Sequence, residues 1–403
     1  MERGAVSAAA RGGAGGDVAS LLDSLEGLDG SRLPHALEEA ASAMGMSGMS
    51  ILLADLQERF LLAWPDDGSE PVVIDGTLPG RVFQRGTPAR DGSGRWWFPV
   101  GDGHQRLGVL AVGLSSEDPE GLRRGGRLAT MAGLLVVSRS AYCDDIVTRR
   151  RLRPLSVAAE LRWALMPPRV MASPQVTVAG ILEPAYEIAG DSFDYSLDDD
   201  RLCLAVFDAM GHGMTASRLA TVAIASYRHS RRVGLGLVET YRAMDELVAD
   251  AFGDGTFVTG HMAELDLATG RLSVLNAGHP RPLLIRGGTA HELAFTPATP
   301  VGLGFVEAEL GEVRLERGDA LLVLSDGVIE ARSAGGDIFG VERVGDLAVR
   351  ALAGGETIAE TARRLIQSVL EHRGVALEDD ATLLLARWDG EVQTAPRPSP
   401  RGI

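Results

Sequence analysis

Cysteine is nearly absent. Cys143 and Cys203 are the only two in 403 residues, too few for a disulfide framework or a cysteine-based zinc site. Long apolar runs are missing as well: the longest, residues 107–114 and 128–137, fall well short of the roughly 18–20 residues a membrane span needs. The N-terminal stretch MERGAVSAAARGGAGG has no apolar core of the kind a secretory signal requires. Positive charge is in deficit, with a net charge of −16, which argues against a general nucleic-acid binder or an anionic-membrane surface protein. These absences lead to the expectation of a soluble, cytoplasmic protein without nucleic-acid or membrane partners.

What is present suits packed domains. Hydrophobic residues make up 45% and charged residues 23%, so the chain as a whole is neither disordered nor fibrous. At about 100–200 residues per domain, its length suggests two or three. Residues 1–19 are Gly/Ala-rich and residues 390–403 Pro-rich, and both read as flexible tails. Residues 20–142 alternate helical and strand signals, with Asp102-Gly103 marking a hairpin and a long apolar helix, 128–142, closing the block. This order, with Gly80-Arg81-Val82-Phe83 and Gly108-Val109-Leu110-Ala111-Val112, resembles a GAF-type α+β sensor domain. Residues 143–170 form the join. A basic run, Arg149-Arg150-Arg151-Leu152-Arg153, reads as a solvated linker face. A helix over 154–166 follows, with Leu155, Ala158, Leu161 and Leu165 on one face.

Residues 171–389 alternate strands and short turns with four helices. Short-turn strand pairs mean antiparallel sheets, which the helices must cover. The expected fold class is therefore α+β: a sensor domain, a linker helix and a β-sandwich between helix layers.

Carboxylates cluster at the predicted strand ends of this second region, in Gly190-Asp191-Ser192-Phe193-Asp194, Asp208-Ala209-Met210-Gly211-His212-Gly213, Ser325-Asp326-Gly327 and Asp379-Asp380-Ala381-Thr382. One such cluster alone reads as a turn, because Asp bonds its own backbone and Gly supplies positive φ; Asp198-Asp199-Asp200 is read that way. Several at one rim would repel one another and raise each other's pKa, a conflict that a cation removes. The donors are oxygens, so Mg²⁺ or Mn²⁺ fits and zinc does not. Several aspartates can hold two such ions about 3.5–4 Å apart for phosphate-ester hydrolysis.

In this order the clusters are specific. Together with Asn276-Ala277-Gly278-His279, Leu324-Ser325-Asp326-Gly327 and Phe339-Gly340, they resemble the PPM family of metal-dependent serine/threonine phosphatases in its bacterial SpoIIE-type branch. Leu161-Arg162-Trp163-Ala164-Leu165-Met166-Pro167-Pro168 resembles the short helix that precedes the catalytic domain in that branch. Ala189 is a small-for-small departure from the usual glycine.

The resemblance implies an α-β-β-α sandwich and two Mn²⁺ or Mg²⁺ ions. Asp208 would bridge the ions and the Ala209 carbonyl would contribute to one. Asp326 and Asp379 would hold the other, with Asp191 on the shared or water-mediated side. Asp380 would replace Asp379 if the register differs by one. Asp194 would at best stand behind the direct ligands or serve an accessory metal, and His212 and His279 read as turn histidines. The implied substrate is a phosphorylated STAS-domain anti-sigma-factor antagonist, under a small-molecule or protein signal at the sensor domain. A pseudophosphatase binding module is the non-enzymatic alternative, marked by loss of a metal aspartate; a two-metal nuclease is disfavoured by the acidic pI. Pairing of the linker helix with the catalytic domain, or with its copy in a homodimer, are both open. Cys143, six residues before Arg149, formally matches a cysteine-phosphatase loop but is rejected, because Asp144 and Asp145 oppose a thiolate. Cys203 reads as a small buried hydrophobe.

Overall fold

A computed structural model describes residues 30–390, apart from 117, 188–189, 199, 254, 306 and 375–378. Ala189, Asp199 and the two tail readings, except for residue 390, lie outside the described residues. The chain divides into two compact units, Met1–Leu152 and Arg153–Ile403.

In the first unit, helix α1 (Leu33–Ala43) precedes strands β1 (Met46–Ala54), β2 (Phe60–Trp64) and β3 (Val72–Val73). Helix α2 (Leu78–Arg85), strands β4 (Ala89–Arg90), β5 (Trp96–Gly101) and β6 (Arg106–Leu114), and helices α3 (Pro119–Ser140) and α4 (Asp144–Arg149) follow. The strands form one antiparallel sheet in the order β3-β2-β1-β6-β5-β4. The expected hairpin joins β5 to β6, and the Asp102 carboxylate accepts the N–H groups of His104 and Gln105. Both faces of the sheet are buried. Ile51, Leu53, Phe98 and Leu110 pack with Leu37 of α1 and Leu128 and Val136 of α3, while Leu52, Leu61 and Val109 pack with Val82 and Phe83 of α2. That is why the apolar/polar alternation of β1 is lost at its C-terminal half.

The second unit begins with helix α5 (Val157–Leu165), strands β7 (Val170–Ala172), β8 (Val176–Glu183), β9 (Asp191–Leu197) and β10 (Arg201–Ala209), and helices α6 (Gly213–Arg232) and α7 (Leu237–Phe252). It continues through β11 (Val258–Asp266), β12 (Arg271–Ala277), β13 (Leu283–Arg286), β14 (Thr289–Glu292), β15 (Gly311–Arg314) and β16 (Ala320–Leu324). The short helix α8 (Asp326–Ile329), helices α9 (Val341–Ala353) and α10 (Ile358–Arg373) and strand β17 (Ala381–Trp388) complete it. Two antiparallel sheets, β15-β12-β11-β10-β9 and β14-β13-β16-β17-β8-β7, face each other across Val178, Phe193, Leu204, Leu321 and Leu384. Helices α6 and α7 cover the outside of the first through Leu219, Tyr241 and Met244. Helices α9 and α10 cover the second through Ala348, Ile366 and Val369. The unit is the expected α-β-β-α sandwich.

Helix α5 differs in detail from the sequence reading. It starts at Val157, because the Ser156 hydroxyl accepts the Ala159 N–H as an N-cap. Its buried face is Ala158, Ala159 and Arg162, whereas Leu155, Leu161 and Leu165 remain half-buried. Small side chains let the helix backbone approach its neighbours, which the leucine stripe does not.

Candidate metal centre

The site is assembled at one end of the sandwich. Strand β9 opens on Asp191, β10 closes on Asp208-Ala209, and their register sets Asp191 directly across from Asp208. In the other sheet Leu324 of β16 pairs with Leu383 of β17, so Ser325-Asp326 leaving one strand lies beside Asp379-Asp380 entering the other. Ser325 fixes that junction. Its N–H donates to the Thr382 carbonyl, and its hydroxyl accepts the Thr382 N–H at 2.9 Å and donates to the Asp380 carbonyl. Asp380 then links the two sheets, because Oδ2 accepts the N–H groups of Gly190 and Asp191.

Close approach explains two glycines. A Cβ on Gly190 would stand 2.4 Å from the Ala209 carbonyl oxygen, and one on Gly327 would stand 2.1 Å from that of Asp380. Neither position has room for a side chain.

The aspartates share one electrostatic field. Burial, followed by Asp326, Asp379 and Asp380, pushes the Asp208 carboxyl up to about 7. Asp191 is held well above the ordinary carboxylate range by burial, then by Asp208 and Asp380, and its buried Oδ2 has no partner among the described residues. Asp326 is raised by burial and by Asp379. Asp379 is exposed at the rim, and its Oδ1 accepts the Asp380 N–H. Among the described residues no three His, Cys, Asp or Glu side chains already form a closed cage for an ion. The donor chemistry nonetheless fits hard divalent cations: oxygen ligands, mutual repulsion and an orphaned carboxylate oxygen at one edge.

Other sequence readings find their place. Asp194 is an ion-pair residue. It lies on the opposite face of β9 from Asp191, buried, and accepts Arg228 Nε at 3.1 Å, Arg228 Nη2 at 2.6 Å and Arg231 Nη1 at 3.1 Å. His279 closes a turn with Asn276, which accepts its N–H and donates to its carbonyl. Its Nδ1 bonds the hydroxyl of Thr259, the residue paired with Asp208 on the β11 side. His212 is exposed just before α6. Arg149, the arginine of the rejected cysteine-phosphatase reading, is engaged by the Ala63 carbonyl and by Asp66. Cys203 is buried, and burial pushes its thiol up to about 11.

Sequence reasoning gave Arg162 no role. This side chain of α5 is fully buried, and its Nη2 donates to the Asp191 carbonyl at 3.1 Å. Burial lowers it to about 10, while Asp191 and Asp380 pull it back up, so it is charged at neutral pH. The available signal was an arginine three and four residues after Ala159 and Ala158, on the small-residue face of an amphipathic helix.

Residues 198–389 match the family model described as Stage II sporulation protein E (SpoIIE). The phosphoserine phosphatase RsbP of Bacillus subtilis is 24% identical over 162 residues, 39% of this chain and 40% of that protein. The phosphoserine phosphatase RsbU of the same organism is 20% identical over 238 residues, 58% of this chain and 69% of RsbU. The chain thus spans under half the length of RsbP. A crystal structure of the RsbU and RsbW domains of a Mycobacterium tuberculosis protein is 26% identical, covering 54% of this chain and 63% of that one, at a TM-score of 0.49.

Proposed function

We propose that residues 198–389, which match the SpoIIE family model, form a phosphatase domain of the PPM (PP2C) class, and that the chain hydrolyses phosphoserine or phosphothreonine on a regulatory protein with two Mn²⁺ or Mg²⁺ ions. The observation that carries this reading is the Asp208 position: it faces Asp191 across β9–β10 and feels Asp326 and Asp379 from the other sheet. A single carboxylate between two sets of carboxylates is suited to bridge two cations.

In this reading Asp208 would hold both ions and the Ala209 carbonyl would support one of them. Asp326 and Asp379 would hold the other, and Asp191, whose Oδ2 has no partner among the described residues, would serve the shared side. Asp380 is assigned to scaffolding, since its Oδ2 already accepts two backbone N–H groups, which leaves the exposed Asp379 as the direct ligand. The ions, when bound, supply Lewis acidity: they acidify water and neutralise phosphoryl oxygens. The chain's own part is to gather the carboxylates at one edge, where burial and mutual repulsion disfavour their ionised forms until a cation offsets them. No covalent step on a side chain is needed.

The substrate proposed is a phosphorylated STAS-domain anti-sigma-factor antagonist, in keeping with two relatives named phosphoserine phosphatases. The N-terminal unit (residues 20–142) is assigned a GAF-like sensor role for a small-molecule or protein signal, with residues 143–170 as the join and 171–389 as the catalytic domain. A homodimer through the half-buried leucines of α5 and a cytoplasmic location belong to the same proposal; among the described residues no helix is long and apolar enough to cross a membrane. The test is phosphate release from phosphorylated STAS-domain proteins with Mn²⁺ and with EDTA. Release that persists in EDTA overturns the reading.

A further inference from the structure

Among the described residues, Arg162 is a buried cation without a conventional ion pair. Its side chain has 0% exposure, one Nη2 bond to a main-chain carbonyl, and Nε and Nη1 that have no partner among the described residues. Leaving a guanidinium so poorly bonded is costly unless a surrounding negative field holds it. Here Asp191 and Asp380 supply that field, with Arg228 opposing it.

Helix α5 is docked firmly enough to fix the group. Ser156 donates its N–H to the Tyr186 carbonyl, and Trp163 Nε1 bonds the Ala185 carbonyl at 2.8 Å. Ser217 bonds the Ala158 carbonyl. Arg228 bonds the Leu165 carbonyl at the helix's last turn. The charge balance of the site then becomes specific. With two ions bound, Asp191, Asp208, Asp326, Asp379 and Asp380 would all be ionised and carry five negative charges. Two divalent ions cancel four, and a single fixed cation cancels the fifth.

We propose that Arg162 is a positioning residue of the metal centre, a fixed counter-charge carried by α5 that balances Asp191 and Asp380 from behind and pins the Asp191 main chain. This rests on the two-ion reading given above. Its consequence runs against the usual expectation for a site residue. A guanidinium beside metal-binding carboxylates repels incoming cations while relieving repulsion in the metal-free state. Removing it should therefore destabilise the metal-free protein and tighten metal binding.

The experiment uses the full chain with three variants: Arg162→Lys, Arg162→Gln and Arg162→Gln/Asp380→Asn. Thermal unfolding is followed in EDTA and in saturating Mn²⁺, and Mn²⁺ affinity is measured by calorimetry. Arg162→Gln is expected to lose more Tm in EDTA than in Mn²⁺, by about 3 °C or more, and to bind Mn²⁺ roughly fivefold tighter or better. Arg162→Lys keeps the charge and should follow the wild type. The double variant removes one charge of each sign while Asn retains an acceptor for the Gly190 and Asp191 N–H groups. It should return to the wild-type Mn²⁺ response, and it carries the test if Arg162→Gln does not fold without metal. Equal Tm losses with and without Mn²⁺, with unchanged or weaker Mn²⁺ affinity, would reduce Arg162 to a packing residue and overturn the proposal. A wild-type protein whose Tm ignores Mn²⁺ would instead overturn the metal-centre reading itself.

Discussion

Asp380 sits behind Asp191 and holds it by the backbone: one carboxylate oxygen accepts the N–H groups of both Gly190, at 2.8 Å, and Asp191, at 3.1 Å. The two residues belong to different sheets, so this contact ties the sheets together at the edge where the aspartates gather. Adjacent acidic residues in one sequence pair thereby acquire different duties. Asp380 is buried and bonded, and Asp379 is exposed at the rim.

Replacing Asp380 should therefore read out first as stability. Asp380→Ala strands two buried N–H groups, at about 1–3 kcal/mol each, whereas Asp380→Asn keeps an acceptor and should cost less than half as much. Urea unfolding in EDTA measures both. Asp379→Asn should leave stability nearly unchanged and reduce Mn²⁺-dependent hydrolysis by at least about 100-fold, on the order of a lost transition-state charge contact. The reverse pattern would exchange the two roles.

Asp208→Asn and Asp326→Asn should each abolish turnover and weaken Mn²⁺ binding, because no neighbouring group can replace their charge. Calorimetric Mn²⁺ titration alongside phosphate release checks this, and near-normal rates in either variant would contradict the two-ion assignment. Cys143→Ser should have no effect on the rate.

Gly190→Ala tests the packing of the site without touching a carboxylate. The new methyl would meet the Ala209 carbonyl at 2.4 Å, pushing aside the same carbonyl that is proposed to support an ion. Rate and Mn²⁺ affinity should fall together, while far-UV circular dichroism stays that of a folded chain. Unchanged Mn²⁺ affinity would remove Ala209 from the proposed ligand set.

Burial holds His261 near a pKa of about 4 and His279 well below its usual value, with the rings edge to face at 5.3 Å. Both are therefore neutral in the fold. A depressed folded pKa contributes stability above the unfolded value, near 6.5, and loses it as pH falls toward the folded value. The histidine contribution to Tm should thus decline between about pH 6.5 and pH 4, against the gain that the raised carboxyls of Asp208 and Asp191 give the metal-free fold as they protonate over the same range. His261 Nε2 bonds the Pro280 carbonyl, a bond a glutamine amide can also donate. His261→Gln should flatten the decline. An identical slope in wild type and variant would assign the acid sensitivity elsewhere.

On α5, Ala158 and Ala159 are buried while the leucines are half-buried. Ala159 is fully buried, so Ala159→Glu should undock the helix and change the phosphatase rate, since burying an unpaired carboxylate costs several kcal/mol. Leu165→Glu, at a half-buried position, should act more weakly on the isolated rate. Sedimentation of both variants distinguishes undocking from loss of a dimer: a mass change in Leu165→Glu alone would place the leucines at a subunit contact.

The sequence by itself determined which residue types reach the site and in what order along the strands. Asp208 follows an apolar strand run, Asp326 follows another, and Asp379-Asp380 precedes a third, so a sandwich with acidic strand ends was legible from local pattern alone. Helix α5 was legible as a helix, since a periodic apolar face is a local signal, although it begins at Val157 behind the Ser156 cap and not at residue 154. Tertiary structure alone decided the rest, because each remaining property depends on what stands opposite. Asp194 looks like Asp191 three positions away, yet strand alternation turns it toward Arg228 and Arg231. Asp379 and Asp380 are chemically identical until Gly190 and Asp191 arrive from the other sheet to occupy one of them. Arg162 lies in a helix read by its leucines, and only the docking of Ala158 and Ala159 turns its guanidinium toward the back of Asp191. Burial, register and the sign of the surrounding field are properties of pairs distant in sequence, and one-dimensional spacing does not contain them.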